Sequence, residues 1–352
     1  MGNCCRDEET IEEIKELKSQ LGQKLLILTH HYQRKEIVEL GHFRGDSFEL
    51  SRRAAEKNEA SFIVFCGVHF MAESAAILSE PGQVVQIPDP GAGCPMADMA
   101  DADVVEEAWK ELTSLFGDKS IMPVVYMNSD ASLKAFCGRN GGTVCTSSNA
   151  ERAFRWGLTQ GKKIFFFPDR HLGLNTAYRL RIRPDEIVVW ESNRQSGGVE
   201  LARLKGARVI LWDGYCVVHT RFRPEHVVEM RERFPGAKIV VHPECTREVV
   251  ELADAVGSTG FIVNYVENAP PGSTIIIGTE INLVDRLAHE NPDKNIFDLY
   301  YSLCPNMFKI TPEKLRDCLR EIGGRNVISV PEHVKKDALV ALNRMLELPH
   351  GS

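Results

Sequence analysis

The sequence predicts an α/β fold of three similar units, which we expect to be related by pseudo-threefold symmetry. One order of segments recurs three times: an apolar strand, a polar tip, an amphipathic helix and a turn rich in glycine, serine or threonine. The spacing also recurs, because Ser47 follows His30 by 17 residues and Thr259 follows His242 by 17. Each copy then continues to a second apolar strand and a cysteine. Such self-similarity is typical of repeated supersecondary units.

The first copy follows an amphipathic helix that we predict over residues 8–20. Its strand covers residues 25–28, and the tip His30, His31 and Tyr32 comes next. The turn Gly45, Asp46, Ser47 closes the repeat. A second strand, FIVFC, leads on to Cys94.

The second copy follows a predicted helix over residues 101–116 and a strand over residues 122–125. Its tip is 126–128 and its turn is 146–149. Ser147 follows Tyr126 by 21 residues, so this copy carries about four extra residues, which we place at 138–142. A longer insertion, residues 178–205, holds a strand-like run over 186–190 before the copy reaches Cys216.

The third copy has a strand over residues 239–241, a tip at 242–244, a helix over 246–255 and a turn at 257–260, and it ends at Cys304. A further helix (313–322) and strand (327–330) begin no new copy, so we expect them to pack back on the first unit. The predicted domains are therefore 1–100, 101–221 with the insertion, 222–310, and a C-terminal segment over 311–352.

Composition excludes several classes of partner. The 352 residues carry a net charge of −7, which gives no basic footprint for nucleic acid. The sequence contains no apolar run of 18 residues and no signal-peptide pattern, so we expect no membrane association. Ten cysteines in such a chain favour a reducing cytoplasm, where metal binding or catalysis is a better explanation than disulfides.

The tips and turns are the predicted ligand-binding positions, because parallel α/β units bind ligands beyond the carboxyl ends of their strands. Each turn offers hydroxyl groups and a helix N-terminus, which together suit an anion. Any one turn is more simply a helix cap. Three in register favour a shared anionic ligand. The tips add six polar side chains: His30, Tyr32, Tyr126, Asn128, His242 and Glu244. The two histidines, the two tyrosines and the glutamate among them form a candidate acid/base set.

Cys94, Cys216 and Cys304 occupy equivalent positions and lack the local C-x-x-C spacing of zinc ribbons and ferredoxins. Structural zinc also requires a fourth ligand. Three equivalent cysteines suit three corners of a 4Fe-4S cube whose fourth iron stays open as a Lewis acid. The other cysteines, including Cys66 and Cys318, are more simply core residues.

These motifs together resemble the quinolinate synthase family over nearly the whole chain. The matching pieces are THHYQ, GDSFELS, FCGVHFMAES, AGCPMADM, VVYMNS, CTSSNA, FFPDRHLG, GYCVVH, HPEC, GSTG, GTE and CPNM. The resemblance implies three αβα domains around a central 4Fe-4S cluster and active site. It also implies condensation of iminoaspartate with dihydroxyacetone phosphate to quinolinate, phosphate and water in NAD biosynthesis, with L-aspartate oxidase as a possible functional partner.

The resemblance also implies residue roles. Cys94, Cys216 and Cys304 would bind the cluster, and Tyr32, Glu244 and His30 would be catalytic. The substrate-binding residues would be His30, Ser47, Tyr126, Met127, Asn128, Ser147, His242, Pro243, Glu244 and Thr259. Two features depart from the family pattern: His31 stands where relatives usually carry Tyr or Asn, and both insertions exceed those of compact members. Pro305, Asn306 and Met307 after Cys304 leave no local cysteine for a redox disulfide.

Two other functions fit parts of the pattern. A three-domain iron-sulfur enzyme of the diphthamide-synthesis type would cleave S-adenosylmethionine. A non-catalytic anion-binding or zinc-stabilised protein would be colourless and would keep its ligand after loss of Glu244.

Overall fold

The computed structural model describes residues 2–56 and 59–348. Residues 349–352, the end of the predicted C-terminal segment, lie outside the described residues. Within the described part of the chain, thirteen strands form three parallel sheets flanked by fifteen α-helices. The α/β prediction is therefore confirmed. Over the same residues, no helix combines the length and the apolar character needed to cross a membrane.

The first sheet has four strands in the order β2-β1-β3-β4. The elements of this part of the chain are α1 (Gly2–Leu21), β1 (Leu25–His30), α2 (Lys35–Leu40), β2 (Phe43–Gly45), α3 (Ser47–Ala55), β3 (Phe62–Cys66), α4 (His69–Leu78) and β4 (Val84–Gln86).

The second sheet has five strands in the order β6-β5-β7-β9-β8. Its elements are α5 (Ala102–Phe116), β5 (Ile121–Tyr126), α6 (Ala131–Arg139), β6 (Thr143–Cys145), α7 (Ala150–Thr159), β7 (Lys163–Phe167), α8 (Arg170–Arg179), β8 (Ile187–Trp190), α9 (Leu201–Gly206) and β9 (Val209–Trp212). The extra edge strand β8 is the strand predicted inside the insertion.

The third sheet repeats the order of the first, as β11-β10-β12-β13. Its elements are α10 (Pro224–Arg233), β10 (Lys238–Val241), α11 (Arg247–Leu252), β11 (Ala255–Val256), α12 (Thr259–Glu267), β12 (Thr274–Gly278), α13 (Ile281–Glu290) and β13 (Asn295–Asp298). Two helices follow, α14 (Pro312–Arg320) and α15 (Glu332–Glu347).

The central strands are mostly apolar because helices cover both faces of each sheet. In β7, for example, Phe165, Phe166 and Phe167 are all fully buried although neighbouring side chains point to opposite faces. Because parallel strands end at the same edge of a sheet, this packing holds the polar tips at a fixed position.

Three details of the local prediction were wrong. Short edge strands, β2, β6 and β11, precede the three turns and were not expected. The helix predicted over 246–255 ends at Leu252, because Ala255 pairs with Val240 in β11. Residues 327–330 form no strand: Val327 makes a single antiparallel bridge with Gln86, whose side chain binds the backbone of the loop before it at Gly323.

The segment after the third sheet touches two sheets. Helix α14 packs on α1, and Ile328 donates from its backbone to Val85 of the first sheet. Helix α15 packs on α6 and β6 of the second sheet and on α4 of the first. The approach of α15 requires a glycine, because a Cβ on Gly138 would lie 1.9 Å from the carbonyl oxygen of Asp337.

Candidate active site

One cavity lies where strands from all three sheets end. It encloses about 730 Å³, counting the part open to solvent. Twelve predicted site residues line it: His30, Tyr32, Ser47, Cys94, Tyr126, Asn128, Ser147, Cys216, His242, Glu244, Thr259 and Cys304. Residues that lie up to 274 positions apart in the chain therefore meet at one place.

Two predicted substrate-binding residues do not line this cavity. Met127 is fully buried, with its sulfur 3.2 Å from the hydroxyl of Ser74. Pro243 accepts a hydrogen bond from Asn175 Nδ2 at 2.8 Å through its backbone carbonyl. Met127 and Pro243 therefore lie within the tips but away from the cavity, whereas the residues on either side of each of them line it.

The histidine tips are buried and neutral. Burial lowers the pKa of both His30 and His242 to about 3. The ring of His30 meets the ring of Tyr32 edge-on with centroids 4.8 Å apart. His242 stacks on His219 with centroids 4.3 Å apart. Each ring therefore has a fixed orientation and can serve as both a donor and an acceptor.

Glu244 is the buried carboxylate of the cavity. Burial alone would raise its pKa, but His219, His242 and the hydrogen bonds from His219 and Tyr126 together lower the pKa to about 2. The Tyr126 phenol donates to Glu244 Oε1 at 2.5 Å, and His219 Nδ1 lies 2.7 Å from Oε2. The carboxyl group is therefore ionised at neutral pH.

Tyr32 lies at the junction of the first and third sheets. Thr259 Oγ1 donates to its phenol oxygen at 3.0 Å, and Thr279 Oγ1 lies 2.7 Å from the same oxygen. Burial, followed by the charge of Glu244, raises the pKa of Tyr32 well above its usual value. The phenol keeps its proton at neutral pH and can donate it.

The three turns form helix N-termini at one end of the cavity, leading into α3, α7 and α12. Asp46 caps α3 through the backbone amides of Phe48 and Glu49, and its other oxygen accepts from Ser148 Oγ at 2.6 Å. Gly260 of the third turn lies against that same oxygen, since a Cβ there would be 3.2 Å from it. Asp46, itself in the first turn, therefore lies against residues of the other two turns.

The three cysteines share one local structure. Each is half-buried, its carbonyl oxygen accepts the amide of the residue four positions later, and a short 3-10 helix begins three residues after it. Backbone amides at the start of each short helix also point at the sulfur. Burial nevertheless raises the pKa of all three thiols, to about 12 for Cys94.

Sequence reasoning missed His219, which lines the cavity and contacts Glu244. Its Nδ1 also lies 3.3 Å from Cys216 Sγ, and its Nε2 lies 3.0 Å from Thr279 Oγ1. The available sequence signal was the C-x-x-H spacing of Cys216 and His219. It sets this loop apart, because Ala97 and Met307 stand at the equivalent positions after Cys94 and Cys304.

Two buried acids at helix N-termini were also missed. Asp169 caps α8, and burial followed by the charge of Glu244 raises its pKa well above the usual value. Glu280 caps α13 and accepts the backbone amide of Cys304 at 3.2 Å, while burial raises its pKa to about 8. Both support cavity loops without lining the cavity.

Comparison with known proteins agrees with this geometry. A family model described as quinolinate synthetase A protein matches residues 12–347. The chain belongs to the quinolinate synthase family. The quinolinate synthase of Corynebacterium glutamicum is 48% identical over 347 residues, covering 97% of this chain and 88% of the relative. Those of Nocardioides sp. and Acidobacterium capsulatum are 48% and 49% identical, covering 98% and 97% of this chain and 91% and 94% of theirs.

A solved reductase from Plasmodium falciparum, which acts on E-1-hydroxy-2-methyl-but-2-enyl-4-diphosphate, covers 93% of this chain and 90% of its own. Its identity is 9% and its TM-score is 0.27. Membership of the quinolinate synthase family makes the chain an enzyme of NAD biosynthesis. The cavity, with its buried carboxylate, its protonated phenols and the three turns at one end, is the candidate active site of this quinolinate synthase.

Proposed function

We propose that the cavity condenses iminoaspartate with dihydroxyacetone phosphate to quinolinate, phosphate and water, and that Cys94, Cys216 and Cys304 hold a 4Fe-4S cluster. The observation that carries the proposal is the convergence of three half-buried cysteines on the cavity that also contains Glu244 and Tyr32. The three cysteines follow strands of three different sheets, β4, β9 and β13.

The residues present fit such a cluster. Thiolate ligands are stabilised by nearby N–H groups, and each sulfur faces backbone amides of its own short helix. Burial and mutual repulsion disfavour three bare thiolates, as the raised pKa values of the thiols indicate. Cationic iron would offset this repulsion. When bound, the cluster would supply a Lewis-acidic iron that lacks a cysteine ligand.

The turns are the proposed anion-binding end. Both substrates are anionic, yet the cavity lining, within residues 2–56 and 59–348, includes no lysine or arginine. Hydroxyl groups of Ser47, Ser147 and Thr259, together with the amides at the starts of α3, α7 and α12, would bind the phosphate and carboxylate groups instead.

Tyr32, Glu244 and His30 are the proposed proton-transfer residues. The condensation and dehydrations remove protons from carbon and nitrogen and add them to leaving oxygens. Ionised Glu244 can accept a proton, and Tyr32 can donate its phenolic proton. Neutral His30, in contact with Tyr32, can do either. Asn128, Tyr126 and His242 would orient the substrate.

The finer organisation is part of the same proposal. The equal strand order of the first and third sheets, and the three alike cysteine loops, support domains over 1–100, 101–221 and 222–310 with pseudo-threefold symmetry, followed by the segment 311–352. The described cysteines from Cys66 to Cys318 are free, which favours the cytoplasm. Iminoaspartate is reactive, so an L-aspartate oxidase is the proposed supplier.

The test is to purify the protein without oxygen, measure its iron, and assay quinolinate from the two substrates. We expect a brown protein with about four irons per chain that makes quinolinate. Cys304→Ala should lose both colour and activity, whereas Cys145→Ala, at a buried cysteine outside the cavity, should keep both. A colourless, inactive protein after cluster reconstitution would contradict the proposal.

A further inference from the structure

The donor atoms of Cys216, His219 and Glu244 all lie within 4.8 Å of one another. From this geometry we infer that the cluster-free protein binds a single zinc ion on these three residues. This set shares Cys216 with the proposed cluster ligands but uses neither Cys94 nor Cys304. The inference rests on the proposed function in one respect, since it assigns Cys216 to two alternative ligand sets.

Local structure creates this site at only one of the three cysteine loops. The short 3-10 helix His219–Arg221 begins three residues after Cys216. The turn that leads into it is closed by a hydrogen bond from the Thr220 amide to the Cys216 carbonyl, and it brings His219 Nδ1 to 3.3 Å from Cys216 Sγ. Ala97 and Met307 occupy the equivalent positions after Cys94 and Cys304, and neither is a comparable ligand.

The distances are close to those of a tetrahedral ion. With the usual zinc bond lengths, tetrahedral sulfur and nitrogen ligands lie about 3.6 Å apart, and nitrogen and oxygen ligands about 3.4 Å apart. His219 Nδ1 lies 3.3 Å from Cys216 Sγ and 2.7 Å from Glu244 Oε2. Binding therefore requires the carboxylate oxygen to move about 0.7 Å away from the imidazole nitrogen once their hydrogen bond is replaced. The same oxygen must also lie about 3.6 Å from Cys216 Sγ, which is at most 4.8 Å away.

Charge and donor type select the ion. A thiolate and a carboxylate together carry two negative charges, so a divalent ion leaves the buried site neutral overall. Sulfur and imidazole ligands favour zinc or cobalt, whereas magnesium and calcium prefer oxygen alone. Three protein ligands also leave the fourth position of a tetrahedral zinc open.

The surrounding residues already have the arrangement that metal ligands require. A ligating histidine usually donates its second N–H to a fixed acceptor, and His219 Nε2 lies 3.0 Å from Thr279 Oγ1. A ligating carboxylate is usually hydrogen-bonded in turn, and Glu244 Oε1 accepts from Tyr126 at 2.5 Å. Thr279 and Tyr126 can keep these two contacts when His219 Nδ1 and Glu244 Oε2 bind the ion.

Zinc and the cluster therefore exclude each other. An ion on this set takes the Cys216 sulfur from the cluster and the Glu244 carboxylate from the substrate. Cluster-free protein would thus be trapped in an inactive form by zinc, and loaded protein would be protected.

The test uses untagged, cluster-free protein, kept reduced without oxygen and titrated with cobalt(II), which reports its ligands by its visible bands and its thiolate charge-transfer absorption. We expect one equivalent to bind with the absorption of a tetrahedral thiolate complex, and zinc to displace it. His219→Ala and Glu244→Gln should each weaken binding at least about tenfold. Met307→Ala, at the equivalent position of the third loop, and Cys94→Ala should leave the affinity within a few-fold. Thermal unfolding of each variant would show that it is folded.

Two results would overturn the inference. One is loss of binding in Cys94→Ala with unchanged affinity in His219→Ala, because the ion would then sit among the three cysteines. The other is cobalt binding with no thiolate absorption. Failure of the cluster proposal is separately visible: a protein that binds cobalt as described but takes up no iron and sulfide would refute the cluster and leave the zinc site standing. Protein loaded with zinc beforehand should resist cluster reconstitution until a chelator is added.

Discussion

The hydroxyl group of Thr279 lies 2.7 Å from the phenol oxygen of Tyr32, 247 positions away in the chain. The same hydroxyl is 3.0 Å from His219 Nε2, and His219 is bonded to Glu244. Thr279 is 1% exposed and does not line the cavity. Thr279 therefore contacts Tyr32 directly and Glu244 through His219, so it is a positioning residue for both proposed proton-transfer residues.

Replacing Thr279 with valine should lower kcat about 10- to 100-fold with a smaller change in KM, because the Tyr32 phenol and the His219 ring lose the hydroxyl that orients them. Thr279→Ser should restore kcat to within a few-fold. Thr143→Val, at a buried threonine of β6 outside the cavity, is the matched control and should leave kcat unchanged. A serine variant no better than the valine variant would show that the methyl group, and so packing, is what matters.

Glu244→Gln should reduce kcat by about 10²- to 10⁴-fold, since the amide keeps the shape of the side chain but cannot accept a proton. Its iron content should match that of the unmodified protein, which separates a loss of chemistry from a loss of the cluster. Glu248→Gln, on the exposed side of α11, serves as the control and should behave as the parent. Near-normal turnover by the Glu244 variant would assign the base to another group.

Stability should fall as the pH falls below about 6.5. The folded pKa values of His30 and His242, about 3, lie below the unfolded value of 6.5, so between these limits only the unfolded chain binds the proton. Each histidine then lowers the free energy of unfolding by on the order of 1 to 2 kcal/mol at pH 5. Below 4.5 Glu244, with a folded pKa of about 2, adds to the loss in the same direction.

Urea unfolding of the cluster-free protein at pH 7 and pH 5 measures this dependence. His30→Gln should make it shallower, and His333→Gln, at an exposed histidine of α15, should leave it unchanged. Equal slopes in all three proteins would mean that His30 is not held neutral by the fold.

Gly138→Ala should destabilise the protein by about 1 to 3 kcal/mol, because the added Cβ collides with the Asp337 carbonyl and forces α15 away from α6. Gly206→Ala is the matched control at another helical glycine, where no atom lies within 4 Å of the added carbon. It should be neutral or stabilising by up to about 1 kcal/mol. Thermal unfolding of the two variants compares them, and similar melting temperatures would contradict the close approach.

The long strands and the site positions at their ends could be predicted because buried parallel strands read as unbroken apolar runs. FIVFC, KIFFF and TIIIG are all strands, and His30, Tyr126 and His242 lie at or just beyond strand ends on the cavity. The edge strands β2, β6 and β11 could not, because two or three residues carry no periodic signal. Val327 was misassigned because its apolar neighbours suggested a strand, whereas the Gln86 amide holds the adjoining loop in turns.

The side-chain contacts of the site could not be predicted from the sequence for a different reason. His219 has a sequence signal in its C-x-x-H spacing from Cys216, but its contacts with Glu244 and Thr279 join residues far apart in the chain and are visible only in the structure. Met127 and Pro243 were expected to bind substrate from the family resemblance. The chain bends at Met127 and turns at Pro243, and there the residues on either side line the cavity whereas these two do not.

The distribution of the three cysteines has a consequence for how the enzyme is made in the cell. A nascent chain that has not yet emerged beyond Cys304 offers only two of the three sulfurs, and each sulfur depends on the folding of a different sheet. Under the proposal that these three cysteines hold one cluster, complete ligation therefore requires synthesis as far as Cys304 and folding of all three sheets. A truncated or misfolded chain would lack at least one of the three proposed ligands and would therefore not bind the cluster.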